Sequence, residues 1–289
     1  MEQKSSLPSA VGEYEVVRSL GRGLMGEVYL ARTGKVFHAL KILDNTRAQR
    51  LDIIPKFISD ISHENILQYK SVKFDSKYQH YFVSEFLEVR PISFRRMKPE
   101  GHKKILPLFI KAAKALAVAH SKGIIHGNIK PTNLLVRRSE DGGYMPIISD
   151  FCLCYIYDKD FFAGDILKKS CYYMSPEYIG YLTTSSAKPE LPESITPASD
   201  VYSLAAVLAD VLTGKLLYDD EDFIDLKSLL DAKERKRFRL IAVNHPSASL
   251  NIKALNDIVN KALAFSAKDR FKDMEEFTNA LESITAEEK

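Results

Sequence analysis

The sequence predicts an α+β fold in which a small, sheet-rich half precedes a larger helical half. Short runs of alternating β-branched and aromatic residues fill the first part of the chain up to residue 88. Long amphipathic segments follow from residue 89 onward. We therefore expect a mobile polar lead-in at residues 1–12, a first lobe at 13–88 and a second lobe at 89–289.

The first lobe is predicted to consist mainly of strands. The strand candidates are YEVVRSL, GEVYLARTG, VFHALKIL, ILQYKSVKFD and HYFVSEFL. Between the third and fourth of these, DIIPKFISDISHENI has apolar residues at positions 54, 57, 58 and 61, a helical spacing. Asp52 followed by Pro55 is typical of a helix start, because the first turn tolerates proline.

The second lobe is predicted to be mainly helical. KKILPLFIKAAKALAVAHSKG indicates an amphipathic helix that ends at Gly123. SDVYSLAAVLADVLTG is the most apolar segment, so we expect a buried helix there. DRFKDMEEFTNALESI indicates a closing amphipathic helix.

Charge and hydropathy exclude several functional classes. The net charge of +3 argues against a nucleic-acid partner, since such binders are usually markedly basic. The run KERKRFR (233–239) is interpreted as a solvated helix face, with a docking patch for an acidic partner as the alternative. No apolar run reaches the ~18 residues of a membrane span, so we expect no membrane insertion.

The start of the chain and the cysteines bear on location. The first residues, MEQKSSLPSAVG, lack the apolar core of a secretory signal peptide. We expect a cytoplasmic protein, with secretion into a host by a route without such a signal as the alternative. Cys152, Cys154 and Cys171 form no disulfide framework. They are interpreted as small apolar thiols, with a redox switch as the alternative.

A glycine-rich stretch and a strand lysine point to phosphate binding. LGRGLMGEVYLA contains Gly21, Gly23 and Gly26 between two predicted strands. Glycines in a hairpin allow backbone N–H groups to approach phosphates closely. Lys41 alternates inward on the next strand, so we interpret it as a phosphate ligand in preference to an ordinary surface lysine.

With HGNIKPTNLL, SDFC, YMSPE and SDVYSL, these segments occur in the order found in protein kinases. The chain resembles that family from about residue 13 to residue 285. Lys130 followed by Pro131 resembles the serine/threonine branch, and the closing segment is similar to bacterial members.

The resemblance implies a site for ATP and Mg²⁺. The three glycines would cover the phosphates, and Lys41 would hold the α and β phosphates. Asn133 and Asp150 would hold the metal, because oxygen donors suit a hard cation. The residues implied around the adenine are Val28, Ala39, Glu85, Leu87 and Leu135, with Ser84 at the back of the pocket.

The resemblance also implies supporting and catalytic groups. Asp200 would brace the catalytic loop, and Glu177 would pair with Arg270 under the substrate platform. The catalytic candidates are His126, Asn128 and Lys130.

The catalytic loop departs from the family pattern. His126-Gly127-Asn128 stands where the family has His-Arg-Asp. An amide at position 128 can orient a hydroxyl group but cannot accept its proton. Gly127 removes the arginine that usually clamps a phosphorylated activation loop.

Two further departures concern the residues implied to hold the phosphates and Mg²⁺. The helix glutamate that should pair with Lys41 is expected to be absent, since the candidate positions are Ile54, Asp52 and Asp60. Lys41 would then find Asp150 instead. Cys152 replaces the glycine after Asp150-Phe151 and should restrict the loop.

These departures predict a pseudokinase that binds ATP and Mg²⁺ but transfers phosphate poorly or not at all. It would act by binding an unknown protein partner. The alternative is a weakly active serine/threonine kinase that phosphorylates a protein hydroxyl. A structural adaptor without a nucleotide site is the third hypothesis.

Overall fold

The computed structural model has the predicted two-lobed α+β architecture. It describes residues 7–23, 26–43, 60–92, 102–140, 142–151, 170–184, 193–218, 224–235 and 251–286. An antiparallel sheet forms the first lobe, and helices dominate the second. Most of the helix predicted around Asp52–Pro55 lies outside the described residues, as do Ile54, Cys152 and Cys154.

The first lobe is one twisted antiparallel sheet. In the described part of the chain it has six strands in the order β1-β2-β3-β4-β6-β5. The strands are β1 (Ala10–Val11), β2 (Tyr14–Gly23), β3 (Gly26–Thr33), β4 (Val36–Leu43), β5 (Tyr69–Asp75) and β6 (Gln79–Glu85). The sheet thus begins at Ala10, inside the segment expected as a lead-in, because Val11 is fully buried and pairs with Tyr14.

The second lobe combines helices with a small sheet. Its strands are β7 (Arg90–Pro91), β8 (Leu134–Arg138) and β9 (Tyr144–Ile148). Its helices are α1 (His102–Ser121), α2 (Pro176–Thr183), α3 (Pro197–Thr213), α4 (Leu226–Arg235), α5 (Ile252–Ala262) and α6 (Met274–Ala286), with a 3₁₀ turn at Ala267–Asp269.

Helix α3 is the centre of the second lobe, as its apolar sequence predicts. Nearly all of its residues are buried, including the polar Asp200. Thr196 N–H donates to Ser199 Oγ at 3.1 Å at its start. Gly214 ends it with a left-handed φ of 67°. Gly123 likewise follows α1 with a φ of 72°, which confirms the predicted helix end.

The solvated face predicted for residues 233–239 is wrong at its first position. Lys233 is only 3% exposed, and it shares the inner face of α4 with buried Leu229. Its ammonium group donates to Tyr172 O at 2.9 Å and to the Tyr202 hydroxyl at 3.1 Å. It also lies over the Tyr218 ring, 4.4 Å from the centroid. The aromatic cluster accepts the lysine through cation–π contacts that a charge count does not reveal.

No helix among the described residues is long and apolar enough to cross a membrane.

Candidate nucleotide and metal site

The glycine motif forms the hairpin between β2 and β3. Gly21 pairs with Val28, and Gly23 pairs with Gly26, so the predicted strand–loop–strand placement is confirmed. Gly26 has a φ of 137°, and a Cβ there would lie 1.8 Å from Ile42 O. A side chain at position 26 would therefore collide with the β4 backbone, which explains the glycine at this end of the hairpin.

Lys41 lies in the middle of the sheet, directly beside that hairpin. It pairs with Val28 on β3 and with Phe82 on β6. Its ammonium nitrogen lies 2.6 Å from Asp150 Oδ1, and its side chain is 11% exposed. The expectation that Lys41 contacts Asp150 is therefore confirmed. Of the acids considered as its helix partner, Asp60 is exposed and Asp52 lies outside the described residues.

Asn133 and Asp150 are brought together by the β8–β9 pair. Leu134 pairs with Ile148, and Ser149 N–H donates to Asn133 O at 2.9 Å. Because the strands are antiparallel, the residue before β8 and the residues after β9 meet at one end of the ribbon. Asn133 Nδ2 donates to Asn128 O at 2.9 Å, which fixes the amide so that its oxygen remains as an acceptor.

This pair fits a hard divalent cation. A carboxylate and an amide oxygen are the donors that Mg²⁺ takes in proteins. Asp150 also has a left-handed φ of 63°. Such a backbone costs a non-glycine residue about 1–3 kcal/mol and persists only where its surroundings hold it, often at a functional site.

The charge on Asp150 is stabilised by its neighbours. Burial alone would raise the pKa of its carboxyl group, but the charge and hydrogen bond of Lys41 outweigh burial. Lys130 and the Tyr69 hydroxyl act in the same direction, so the pKa lies below its ordinary value. Asp150 is therefore ionised at neutral pH, as a metal ligand must be.

Asp200 braces the catalytic loop, as the resemblance implied. The backbone N–H groups of His126 and Gly127 donate to its two carboxylate oxygens at 2.8 and 2.9 Å. His120 Nε2 lies 2.8 Å from Oδ2. Burial would raise the pKa of Asp200, but the hydrogen bond and charge of His120 outweigh burial and lower this pKa, so the carboxylate stays charged. The loop is thus anchored to helix α3.

His126 supports the loop and offers no proton-transfer group. Its Nε2 lies 3.0 Å from Ser149 O, and its Nδ1 accepts from Asn128 N–H at 3.1 Å. Both ring nitrogens are therefore used internally, which indicates the neutral Nε2–H form. Burial lowers the pKa of this histidine in agreement with that form. The ring also packs on Phe151, with centroids 4.5 Å apart.

The remaining catalytic candidates meet at the loop. Asn128 is 5% exposed, and its Nδ2 has no hydrogen-bond partner among the described residues. Lys130 Nζ donates to Ser170 Oγ at 2.9 Å, which ties the loop to the segment before α2. Burial lowers the pKa of Lys130, and the charge of Asp150 opposes this effect.

The predicted adenine residues lie on β3, β4, β6 and β8 and just after β6. Ala39 pairs with Ser84, and Glu85 ends β6 opposite His38. Ser84 is 3% exposed and donates to Glu85 O at 3.2 Å. Val28, Leu87 and Leu135 are half-buried. Their roles in binding adenine stay predictions.

The predicted platform pair is confirmed as a bidentate ion pair. Arg270 Nη1 and Nη2 donate to Glu177 Oε1 and Oε2, both at 2.8 Å. Burial would raise the pKa of Glu177, but Arg270 more than offsets this and lowers it. Arg270 also donates to the carbonyl oxygens of Ala198, Ala264 and Phe265, so the guanidinium joins several segments of the lobe.

The sequence analysis did not identify two residues that make structural contacts, Tyr69 and Lys233. Tyr69 donates to Asp150 Oδ1 at 3.2 Å. Lys233 lies in the aromatic cluster and donates to the backbone oxygen of Tyr172. Tyr69 lies at an ordinary strand position, and only folding brings its hydroxyl group to the Asp150 carboxylate. The amphipathic pattern of α4, with Leu229 one turn before Lys233, was the available signal for the latter.

A glycine hairpin over a strand lysine, with a braced loop and a metal-type oxygen pair below, defines the class of two-lobed protein kinase folds. The chain belongs to the protein kinase domain family, which matches residues 14–282. It is 28% identical to serine/threonine-protein kinase Pkn1 of Myxococcus xanthus over 96% of this chain and 39% of that protein. It is 28% identical to a probable serine/threonine-protein kinase of Clostridium perfringens, over 94% of this chain and 38% of that protein.

A probable serine/threonine-protein kinase PknB of Lactococcus lactis is 26% identical over 94% of this chain and 42% of that protein. The chain thus spans about two fifths of the length of these relatives.

Proposed function

We propose that this domain binds ATP with Mg²⁺ in the cleft between its lobes but transfers the γ-phosphate slowly or not at all. The observation that carries this proposal is the buried amide of Asn128 at the position of the catalytic base. The proposal is supported by the Lys41–Asp150 contact and the fixed Asn133 amide, which suit a nucleotide and a metal, whereas the amide at position 128 does not suit proton transfer.

The nucleotide side rests on residues that already lie together. Lys41 would hold the α and β phosphates beneath the glycine hairpin, close to the Asp150 carboxylate that it contacts now. Asn133 and Asp150 would hold Mg²⁺. A metal held there would supply positive charge that offsets the negative charge of the phosphates. The adenine would lie between Val28 and Ala39 on one side and Leu135 on the other, with Glu85 and Leu87 offering backbone groups to its edge.

The domain would lack an efficient acceptor for the proton of the attacking hydroxyl group. An amide cannot accept the proton of the attacking hydroxyl, and a positioned general base contributes about 10²–10⁴-fold to rate. The imidazole of His126 is no substitute, since both of its nitrogens are engaged inside the loop. A pseudokinase of this kind would act on a protein partner through its shape, with nucleotide selecting one conformation.

A second candidate, an active serine/threonine kinase, is favoured by the substrate side of the cleft. The Lys130–Ser170 hydrogen bond and the Glu177–Arg270 pair are both formed. The relatives are named as serine/threonine-protein kinases. Because phosphoryl transfer passes through a loose transition state, positioning by Asn128 and Lys130 could sustain turnover onto a protein hydroxyl.

Calorimetric titration of the purified domain with ATP, with and without Mg²⁺, tests the nucleotide site. We expect metal-dependent binding that is lost in Lys41→Ala. Lys261→Ala is the matched control, since this exposed lysine lies on α5, away from the cleft. Absence of binding at millimolar ATP would contradict both candidates and leave the structural adaptor.

A further inference from the structure

Tyr69 connects the sheet to the predicted metal ligand. It begins β5, and its ring packs on Phe82 of β6 with centroids 4.7 Å apart. Phe82 in turn pairs with Lys41 across the sheet. The tyrosine is thus supported by β6, the strand next to the one that carries the lysine, and its hydroxyl group reaches Asp150 Oδ1 at 3.2 Å.

Asp150 needs such support more than an ordinary residue does. It lies just beyond β9 with a left-handed backbone, which only surrounding contacts can hold. Within the described part of the chain, the Lys41 ammonium and the Tyr69 hydroxyl both donate to Oδ1, and no donor reaches Oδ2. With respect to the described residues, Oδ2 is therefore the carboxylate oxygen that remains for a metal.

Nucleotide binding would affect the Lys41 and Tyr69 hydrogen bonds to Asp150 differently. Lys41 would have to share its charge with the phosphates, whereas Tyr69 contacts Asp150 through a neutral hydroxyl group. The hydroxyl would remain on Oδ1 when the lysine turns toward the ligand. Its aromatic support on Phe82 keeps it there at a low cost in side-chain entropy.

We propose that Tyr69 is a positioning residue for the metal site: its hydroxyl holds the Asp150 carboxylate through Oδ1 so that Oδ2 faces Mg²⁺. This inference rests on the proposed function of the cleft. Tyr69 would touch neither metal nor nucleotide and would act only through Asp150.

The test compares wild type with Tyr69→Phe, which removes the hydroxyl and keeps the ring on Phe82. ATP affinity is measured by calorimetry over a series of Mg²⁺ concentrations and again in EDTA. We expect the Mg²⁺ concentration at half-maximal effect to rise by roughly three- to tenfold, the range for the net contribution of one typical intramolecular hydrogen bond. ATP affinity in EDTA should stay within about twofold of wild type, because the phosphate contacts of Lys41 are unchanged.

Tyr78→Phe is the matched control. Tyr78 is also half-buried on the same hairpin, but it lies at the turn between β5 and β6, beside Lys77. We expect it to keep the wild-type Mg²⁺ dependence.

Several outcomes would overturn the inference. An unchanged Mg²⁺ requirement in Tyr69→Phe, with or without a lower melting temperature, would leave the residue a packing role only. A lower requirement would mean that the hydroxyl competes with the metal. If wild type binds no nucleotide at all, the proposed function fails and the inference fails with it. Wild-type binding with an unaltered Tyr69→Phe refutes the inference alone.

Discussion

The residues implied to bind Mg²⁺ (the metal side) and the loop at Asn128 (the proton-transfer side) differ in how firmly hydrogen bonds hold their side chains. On the metal side, the Asp150 carboxylate receives Lys41 and Tyr69, and the Asn133 amide is fixed by Asn128 O. On the proton-transfer side, the Asn128 amide nitrogen is buried with no partner among the described residues. A buried unpaired polar group costs about 1–3 kcal/mol. The difference shows that the fold holds the metal side firmly and tolerates an imperfect fit at position 128.

The deficit is local, because the Glu177–Arg270 pair is fully formed. The Arg270 guanidinium is buried, forms a bidentate pair with Glu177 and reaches three carbonyl oxygens. The shortfall is therefore confined to one loop.

Arg270→Ala should produce the largest loss of stability. It leaves the Glu177 carboxylate buried without its partner, and breaking a buried pair in this way costs about 3–5 kcal/mol. The measurement is urea unfolding followed by circular dichroism.

Arg235→Ala is the control for Arg270→Ala, since its pair with Asp231 is exposed and should contribute less than about 1 kcal/mol. Equal effects of the two substitutions would show that the platform pair contributes no more than a surface contact.

Gly26→Ala should lower stability and weaken ATP binding, because it disturbs the glycine hairpin. The new Cβ would lie 1.8 Å from Ile42 O, at a φ of 137°, so β3 and β4 must separate. We expect a loss of about 1–3 kcal/mol in unfolding free energy, in line with strained backbone positions, together with weaker ATP binding. Thermal melting with and without MgATP measures both.

Gly23→Ala is the control for Gly26→Ala, because a Cβ there meets nothing within 4 Å and no left-handed φ is required. The account of the hairpin would be wrong if the two alanine variants behaved alike.

Lys233→Met should change the pH dependence of stability. Burial, followed by the charge of Arg270, lowers the pKa of Lys233 to about 7 from 10.5, although Cys171 and Glu177 oppose this. Between these two values only the unfolded state binds the extra proton, so wild-type stability rises with pH. The penalty is fully present below the folded pKa and disappears above the unfolded one.

The difference in unfolding free energy between wild type and Lys233→Met should therefore grow in favour of wild type from pH 7 to pH 9.5, by less than about 1.4 kcal/mol per pH unit. Denaturant unfolding at several pH values measures it. Lys261→Met, at an exposed lysine, should show no such trend. A flat difference for Lys233→Met would mean that its ammonium stays charged at every pH tested.

Much of the metal side could be predicted from local patterns. Strand alternation placed Lys41 beside the glycine hairpin, and the Asn133 and Asp150 motifs flank two short strands that pair. The placement of Lys41 follows from strand geometry. The metal ligands and the Lys41–Asp150 contact were expected from the family resemblance, since spacing alone does not assign them.

The missed residues depend on contacts between distant segments. Tyr69 and Asp150 are 81 positions apart, and nothing local to either indicates their hydrogen bond. Lys233 was interpreted as part of a solvated charge run, whereas Tyr172, Tyr202 and Tyr218 converge around it only in the folded lobe. His126 was a catalytic candidate by its position, yet both ring nitrogens are used for support.

The central claim is that the cleft holds MgATP and lacks an efficient route for the proton. The most direct test is a phosphoryl-transfer assay of wild type and Asn128→Asp at saturating MgATP, with a generic serine-containing protein substrate and with autophosphorylation as a second readout. Asn128→Ser serves as the control for a change of side chain that supplies no base. The account predicts a gain of about 10²-fold or more in Asn128→Asp alone, within the range for a general base. Equal and substantial transfer by wild type and Asn128→Asp would contradict it and identify the domain as an active kinase.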